Sequence, residues 1–100
     1  MIYADLIRQW AQDRNLIAGS TVQAQFVKLI EEIGELAEAI AKGKDEQFMD
    51  SIGDAFVVLT ILAAQKDLEI EGCIFHAWHE IKDRKGRMVD GIFVKEESDV

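Results

Sequence analysis

A chain of 100 residues with 49% hydrophobic side chains, 30% charged ones and a formal net charge of −8 reads as one domain, because chains below about 150 residues rarely divide. The acidic balance excludes a coat for nucleic acid polymers, whose affinity comes from neutralising phosphates with Lys and Arg; a small phosphorylated ligand stays within reach if metal ions and a local basic patch supply the positive charge. The single cysteine, Cys73, rules out an internal disulfide framework and fits a reducing cytoplasm, no signal peptide is recognisable at the N-terminus, and the absence of proline favours long uninterrupted helices.

Residues 3–14 are predicted to form a first helix, with Leu6, Ile7 and Trp10 on one side and Arg8, Gln12 and Asp13 opposite. A loop at 15–19 has a length common between packed helices. Ser20 or Thr21 then caps a second helix that runs to about Lys42 and stops at Gly43. At 100° per residue its core stripe is Phe26, Leu29, Ile30, Ile33, Ala37 and Ile40. Lys28, Glu31, Glu35 and Glu38 lie on the other side, and Glu32 stands at the border.

Asp45 is expected to cap a third helix over 46–66. Its stretch 55–64 is apolar nearly all round, which is more than a monomer of this length covers. Burial against another subunit follows, and so does an oligomer; ten residues are too few to span a membrane. A fourth helix over 69–84 points Ile70, Cys73, Ile74, Ala77, Trp78 and Ile81 inward and ends at Gly86. Arg87-Met88-Val89 and Ile92-Phe93-Val94 flank Asp90-Gly91, the signature of a two-residue hairpin turn. The acidic tail at 96–100 is expected to fray.

The chemistry is concentrated in two pentads, Glu31-Glu32-Ile33-Gly34-Glu35 and Asp50-Ser51-Ile52-Gly53-Asp54, one pattern repeated nineteen positions later. Residues at i, i+3 and i+4 share a helix face, so each helix carries a flank of acids. Carboxylates meeting across two helices repel unless a cation sits between them, and oxygen-only ligands suit Mg²⁺ or Mn²⁺. Solvated acids on amphipathic helices are the competing explanation. Asp54 leads the apolar run and, if buried, needs a partner. Each glycine costs about 1 kcal/mol against Ala in a helix, a cost that close helix approach would explain.

Lys28 is placed either to pair with Glu32 one turn on or to meet a phosphate. The segment Lys82-Asp83-Arg84-Lys85-Gly86-Arg87 is the one dense basic cluster, suited to an anion or to the negative end of a helix. His76 and His79 have no further His or Cys to complete a zinc site and read as packing or hydrogen-bonding residues. Trp10, Phe26 and Trp78 fit a core better than a base-stacking role.

The run Lys28-Leu29-Ile30-Glu31-Glu32-Ile33-Gly34-Glu35-Leu36 resembles the first motif, EExxE, of the MazG-like nucleoside triphosphate pyrophosphohydrolases of the all-α NTP pyrophosphatase superfamily. The second motif, ExxD, falls on Ser51-Ile52-Gly53-Asp54, and His79-Glu80-Ile81-Lys82 with Arg84 and Lys85 is similar to a later Asn-x-x-Lys pattern. The likeness covers residues 22–86. It implies a four-helix-type core, and with the hairpin read above near 87–94 the chain is expected to be all-α with a short C-terminal hairpin, in a single domain over 1–100. It implies assembly as a homodimer or homotetramer; the cysteine, the short apolar run and the acidic balance read above add the expectation of a cytoplasmic protein with neither membrane nor nucleic acid polymer as partner.

The implied reaction is Mg²⁺-dependent hydrolysis of a nucleoside triphosphate between the α- and β-phosphates, with Mn²⁺ as the alternative ion. Carried over to this chain, Glu32, Glu35 and Asp54 become metal ligands, and Glu31 a ligand to a second metal or the group orienting the attacking water, so that Glu31 and Glu32 are the catalytic pair. Lys28, Lys82, Arg84 and Lys85 become substrate contacts. Ser51 stands where the family has Glu, with Asp50 beside it as the expected substitute ligand, and His79 stands for Asn. These departures leave an alternative: a helical interaction module of the same fold that is catalytically weak or inactive.

Overall fold

The computed structural model describes residues 1–96, so the tail expected to fray lies, beyond Glu96, outside the described residues. Four helices are followed by a hairpin: α1 Ile2–Asp13, α2 Val22–Lys42, α3 Asp45–Gln65, α4 Ile70–Ile81, β1 Gly86–Val89 and β2 Ile92–Lys95. The two strands pair antiparallel, with Val89 opposite Ile92. Asp90 and Gly91 both take positive φ, 51° and 80°, as the predicted two-residue turn demands.

Helix ends set the path of the chain. The Thr21 hydroxyl accepts from the Ala24 amide at 3.0 Å and starts α2. α1, α2 and α3 stop in one way: Asn15, Gly43 and Asp67 turn left-handed. The next amide, of Leu16, Lys44 or Leu68, then returns to the carbonyl of Ala11, Ala39 or Ala63. Two expected ends differ. Lys44 occupies the cap of α3 without a side-chain bond, and Asp45 lies in the first turn, where its charge still complements the dipole. α4 ends at Ile81 because 82–85 carries no apolar side chain to hold another turn on a core. Gly86 opens β1 instead, where any Cβ would meet the Phe93 ring and the Val94 carbonyl.

The tight turn at Gly43 lays α2 and α3 antiparallel. The face α2 turns to α3 is Val22, Gln25, Leu29, Glu32, Leu36 and Ala39, its most covered residues. Of the expected stripe only Leu29 belongs to it; Phe26, Ile30, Ile33, Ala37 and Ile40 are exposed. The helix is apolar on two faces, and small Ala39 and Glu32 face α3 at close approach. In α1 the covered residues are Ala4, Ile7, Arg8 and Ala11, while Leu6 and Trp10 face out. Gly34 and Gly53 mediate no close helix contact within the chain: a Cβ at either meets nothing within 4 Å.

α3 is the hub. By length, 21 residues, and hydropathy it is long and apolar enough to cross a bilayer, unlike the ten-residue run considered alone. In this fold it is the helix on which α1, α2 and the start of α4 rest. It supplies Val58 and Ile61, the only buried hydrophobic residues larger than Ala among those described. Ile61→Ala is therefore expected to cost about 2–5 kcal/mol, read as a lower urea midpoint.

α4 was expected to turn an apolar face inward, yet none of its residues is buried and both strands are exposed throughout. The chain's radius of gyration is 16.6 Å, against about 13 Å for a compact domain of this length. Its accessible surface is 7832 Å², roughly 2,000 Å² above what folded monomers of 11.3 kDa expose.

Candidate metal centre

Glu32 and Glu35 of α2 and Asp54 of α3 each place a carboxylate oxygen within 4.8 Å of the others. The spacing of Glu32 and Glu35 puts both on one flank, and the antiparallel pairing brings Asp54 across. Gln47, near the start of α3, donates to the Glu35 carbonyl at 3.0 Å and ties the two helices at this level.

Glu32, expected at a border, is the deepest acid of the group at 5% exposure. Its Oε1 lies 3.4 Å from Lys28 Nζ, while its Oε2 is buried without a hydrogen-bond partner. A buried carboxylate oxygen left unpaired is costly. The donor set is oxygen only, in a cluster a hard divalent cation fits, and the orphaned Oε2 is the atom such an ion would satisfy.

The electrostatics describe the same deficit. Glu35 is pushed above the ordinary carboxylate range, first by the charge of Glu32, with partial desolvation, a hydrogen bond to Glu32 and the Asp54 charge adding and Lys28 opposing. Asp54 is raised by desolvation, then by Glu32 and Asp50, again against Lys28. Lys28 is raised by hydrogen bonds to Glu32 and Glu31. Because Glu35 and Asp54 keep protons to higher pH folded than unfolded, the metal-free native state binds extra protons between the ordinary carboxylate values, about 3.9–4.3, and the raised ones. That component of stability is present below the window and lost as pH rises through it. A Glu35→Gln/Asp54→Asn variant lacks it, so in EDTA its melting temperature relative to the parent should climb between pH 4 and pH 7. A constant gap contradicts this account.

The remaining candidate residues fall around the cluster. Asp54 itself is exposed in the single chain, not buried as its apolar neighbours suggested; that apolar run is only partly covered here. Glu31 is exposed and outside the three-acid set, 3.4 Å from Lys28. Asp50 is exposed and also outside the set, although it lines an open groove with Glu35, Gln47, Ser51 and Asp54. Ser51 points inward at 1% exposure, its hydroxyl unpartnered.

Lys82, Arg84 and Lys85 lie past α4, exposed and in no ion pair among the described residues. His76 lies 3.1 Å from Glu80 and the His79 ring packs against Phe75. Sequence reasoning missed an apolar groove where Tyr3, Leu6, Ile7, Trp10 and Val57 adjoin Asp54. Its α1 residues looked like core, and only the i, i+3 spacing of Asp54 and Val57 hinted at a shared face.

A helical pair with an acidic centre between its members, suited to a divalent cation, defines the class of protein. Residues 20–88 match the MazG nucleotide pyrophosphohydrolase domain, and the chain belongs to that family. It is 56% identical over 63 residues to a Haemophilus phage HP1 (strain HP1c1) protein, described as an uncharacterized 18.2 kDa protein in the rep-hol intergenic region. The match takes in 63% of this chain and 39% of the relative, so the chain spans well under half the length of that curated protein. No solved structure matches.

Proposed function

We propose that this chain is a cytoplasmic, metal-dependent nucleoside triphosphate pyrophosphohydrolase that releases a nucleoside monophosphate and pyrophosphate, with Mg²⁺ as the expected ion and Mn²⁺ as its substitute. The observation that carries the reading is the buried, unpartnered Oε2 of Glu32 within reach of Glu35 and Asp54. Bound there, the ion supplies charge neutralisation on the phosphates and a more acidic water. Glu32, Glu35 and Asp54 hold it. Glu31 orients the attacking water and accepts its proton. Lys28, already beside two of these acids, steadies the phosphates with Lys82, Arg84 and Lys85, and the groove at Trp10 receives the base. α3 then serves as a core and interface helix, not a membrane span. A panel of canonical, deoxy and damaged triphosphates with pyrophosphate detection tests the reading; no release from any of them with Mg²⁺ or Mn²⁺ contradicts it.

Asp50 would support the ion from beside the three acids, since it shares the groove without joining their set. Asp50→Ala is then expected to lower turnover by about 10–100-fold, the usual cost of an outer partner, and Glu35→Ala by more. Full turnover in Asp50→Ala leaves a site of three carboxylates alone. Ser51→Ala should be neutral or stabilising, because it removes a buried hydroxyl that has no partner; urea unfolding decides.

Ser51 in the place of the family's carboxylate favours a second reading, an interaction module with a weakened site. A Mg²⁺ titration separates the two: an ion that binds the native state raises the melting temperature, and a bland acidic surface does not respond.

A further inference from the structure

α3 carries two buried hydroxyls, Ser51 and Thr60, and treats them differently. Thr60 Oγ1 donates to the Phe56 carbonyl at 2.8 Å, the bond to the residue four back by which a helix commonly satisfies such a group. Ser51, at 1% exposure, makes no such bond and has no partner at all. A buried hydroxyl left unpaired is costly, and each one in a native fold asks for an explanation.

The place of Ser51 supplies one. It stands one turn before Asp54, on the same flank of α3, and lines the groove with Glu35, Asp50 and Asp54. Gln47, a turn earlier, donates to the Glu35 carbonyl; because α2 and α3 run antiparallel, Ser51 falls near the level of Glu32. Among the described residues the other buried side-chain oxygens without a partner are Glu32 Oε2 and Gln65 Oε1. Gln65 sits at the far end of α3, where its amide nitrogen holds the Ile17 carbonyl at 3.3 Å. Glu32 and Ser51 are the pair at the acidic centre.

We infer that Ser51 is a positioning residue of the ion centre: its hydroxyl hydrogen-bonds the hydration shell of a divalent cation held by Glu32, Glu35 and Asp54, without ligating the ion. A neutral hydroxyl is a poor ligand beside carboxylates, yet Mg²⁺ dehydrates reluctantly and keeps several waters in a protein site. Water polarised by a cation is a strong donor, and a buried oxygen with free lone pairs is an acceptor for it. Where the family has a carboxylate, this chain thus keeps an acceptor without a fourth negative charge among acids that already repel. Asp50 has no comparable need, because it is exposed and bulk water satisfies it. The same hydroxyl is then a cost in the metal-free fold and a gain in the loaded one. The inference rests on the proposed ion and not on the reaction that the ion serves.

Calorimetric titration of the nucleotide-free protein with Mn²⁺ tests it, beside urea unfolding in EDTA. Ser51→Ala should weaken Mn²⁺ binding by about 10–100-fold, the usual cost of a group that supports a metal from outside its ligand set. Its urea midpoint in EDTA should equal or exceed the parent's. Ser51→Cys separates hydrogen bonding from packing: it keeps the side chain's bulk, but a thiol is a weak donor and acceptor and a soft group that Mn²⁺ does not favour. It should bind as weakly as Ser51→Ala. Parent-like affinity in Ser51→Ala overturns the inference. So does parent-like affinity in Ser51→Cys alone, or a midpoint in EDTA that falls with the affinity, since either makes Ser51 a packing residue. A parent that takes up no Mn²⁺ overturns it together with the ion centre. A parent that binds Mn²⁺ through Ser51 yet cleaves no triphosphate keeps the inference and rejects the activity.

Discussion

Replacing Asp54 by Asn is expected to abolish divalent-metal binding while the helices stay intact and the metal-free protein becomes more stable at neutral pH. The two effects have one cause. Asp54, Glu35 and Glu32 converge within 4.8 Å; the affinity for protons is raised at Asp54 by desolvation and then by the charge of Glu32, and at Glu35 first by the charge of Glu32. Asn keeps the shape and removes one charge, so repulsion falls. An ion in this cluster loses one of three carboxylates. Loss of an outer partner already costs about 10–100-fold in affinity or activity, and loss of a direct ligand should cost at least the upper end. Calorimetric titration with Mn²⁺, alongside far-ultraviolet circular dichroism, reads both halves. Unchanged affinity would mean that the acid is structural.

The second large effect is in assembly. The chain is expected to exist as a dimer or a dimer of dimers at micromolar concentration, and to unfold when the contact is broken. Among the described residues a single chain buries two hydrophobic side chains larger than Ala, Val58 and Ile61, too little to offset the conformational entropy of so many ordered residues. Trp78→Asp places a charge on the exposed apolar face of α4. Burying one large apolar side chain contributes about 1.5–3 kcal/mol, and a symmetric dimer loses two. The melting temperature of the parent should rise with protein concentration, and that of the variant should fall well below it. A stable, sharply melting monomer by light scattering would contradict the assembly.

What the sequence disclosed and what it hid divide along physical lines. Thr21, Gly43 and Asp90-Gly91 were legible because caps and turns are local: a hydroxyl for an orphan amide, a residue that tolerates positive φ. Glu32 and Glu35 were legible as one flank for the same reason, since i, i+3 spacing on a helix survives any packing, whereas Asp54 reaches them only through the packing of α3 on α2. Which face turns inward was not local. α2 is apolar on two sides, so periodicity alone cannot tell the side that meets α3, through Leu29, Leu36 and Ala39, from the side that carries Phe26, Ile30 and Ile33. Glu32 therefore looked marginal and is in fact the most buried acid among the described residues. Asp54 looked buried because the apolar run behind it was read as interior. In the single chain it is exposed, as are α4 beyond Ile70 and the hairpin; apolar residues at helical spacing look the same to periodicity whether a fold covers them or leaves them open.

In the proposed reaction three carboxylates hold an ion that directs hydrolysis to the bond between the α- and β-phosphates. Phosphorus magnetic resonance of the parent protein with a nucleoside triphosphate and Mg²⁺ tests it most directly. The account predicts that resonances of monophosphate and pyrophosphate grow together and that EDTA stops them. Orthophosphate with a diphosphate, or turnover that survives chelation, would contradict it.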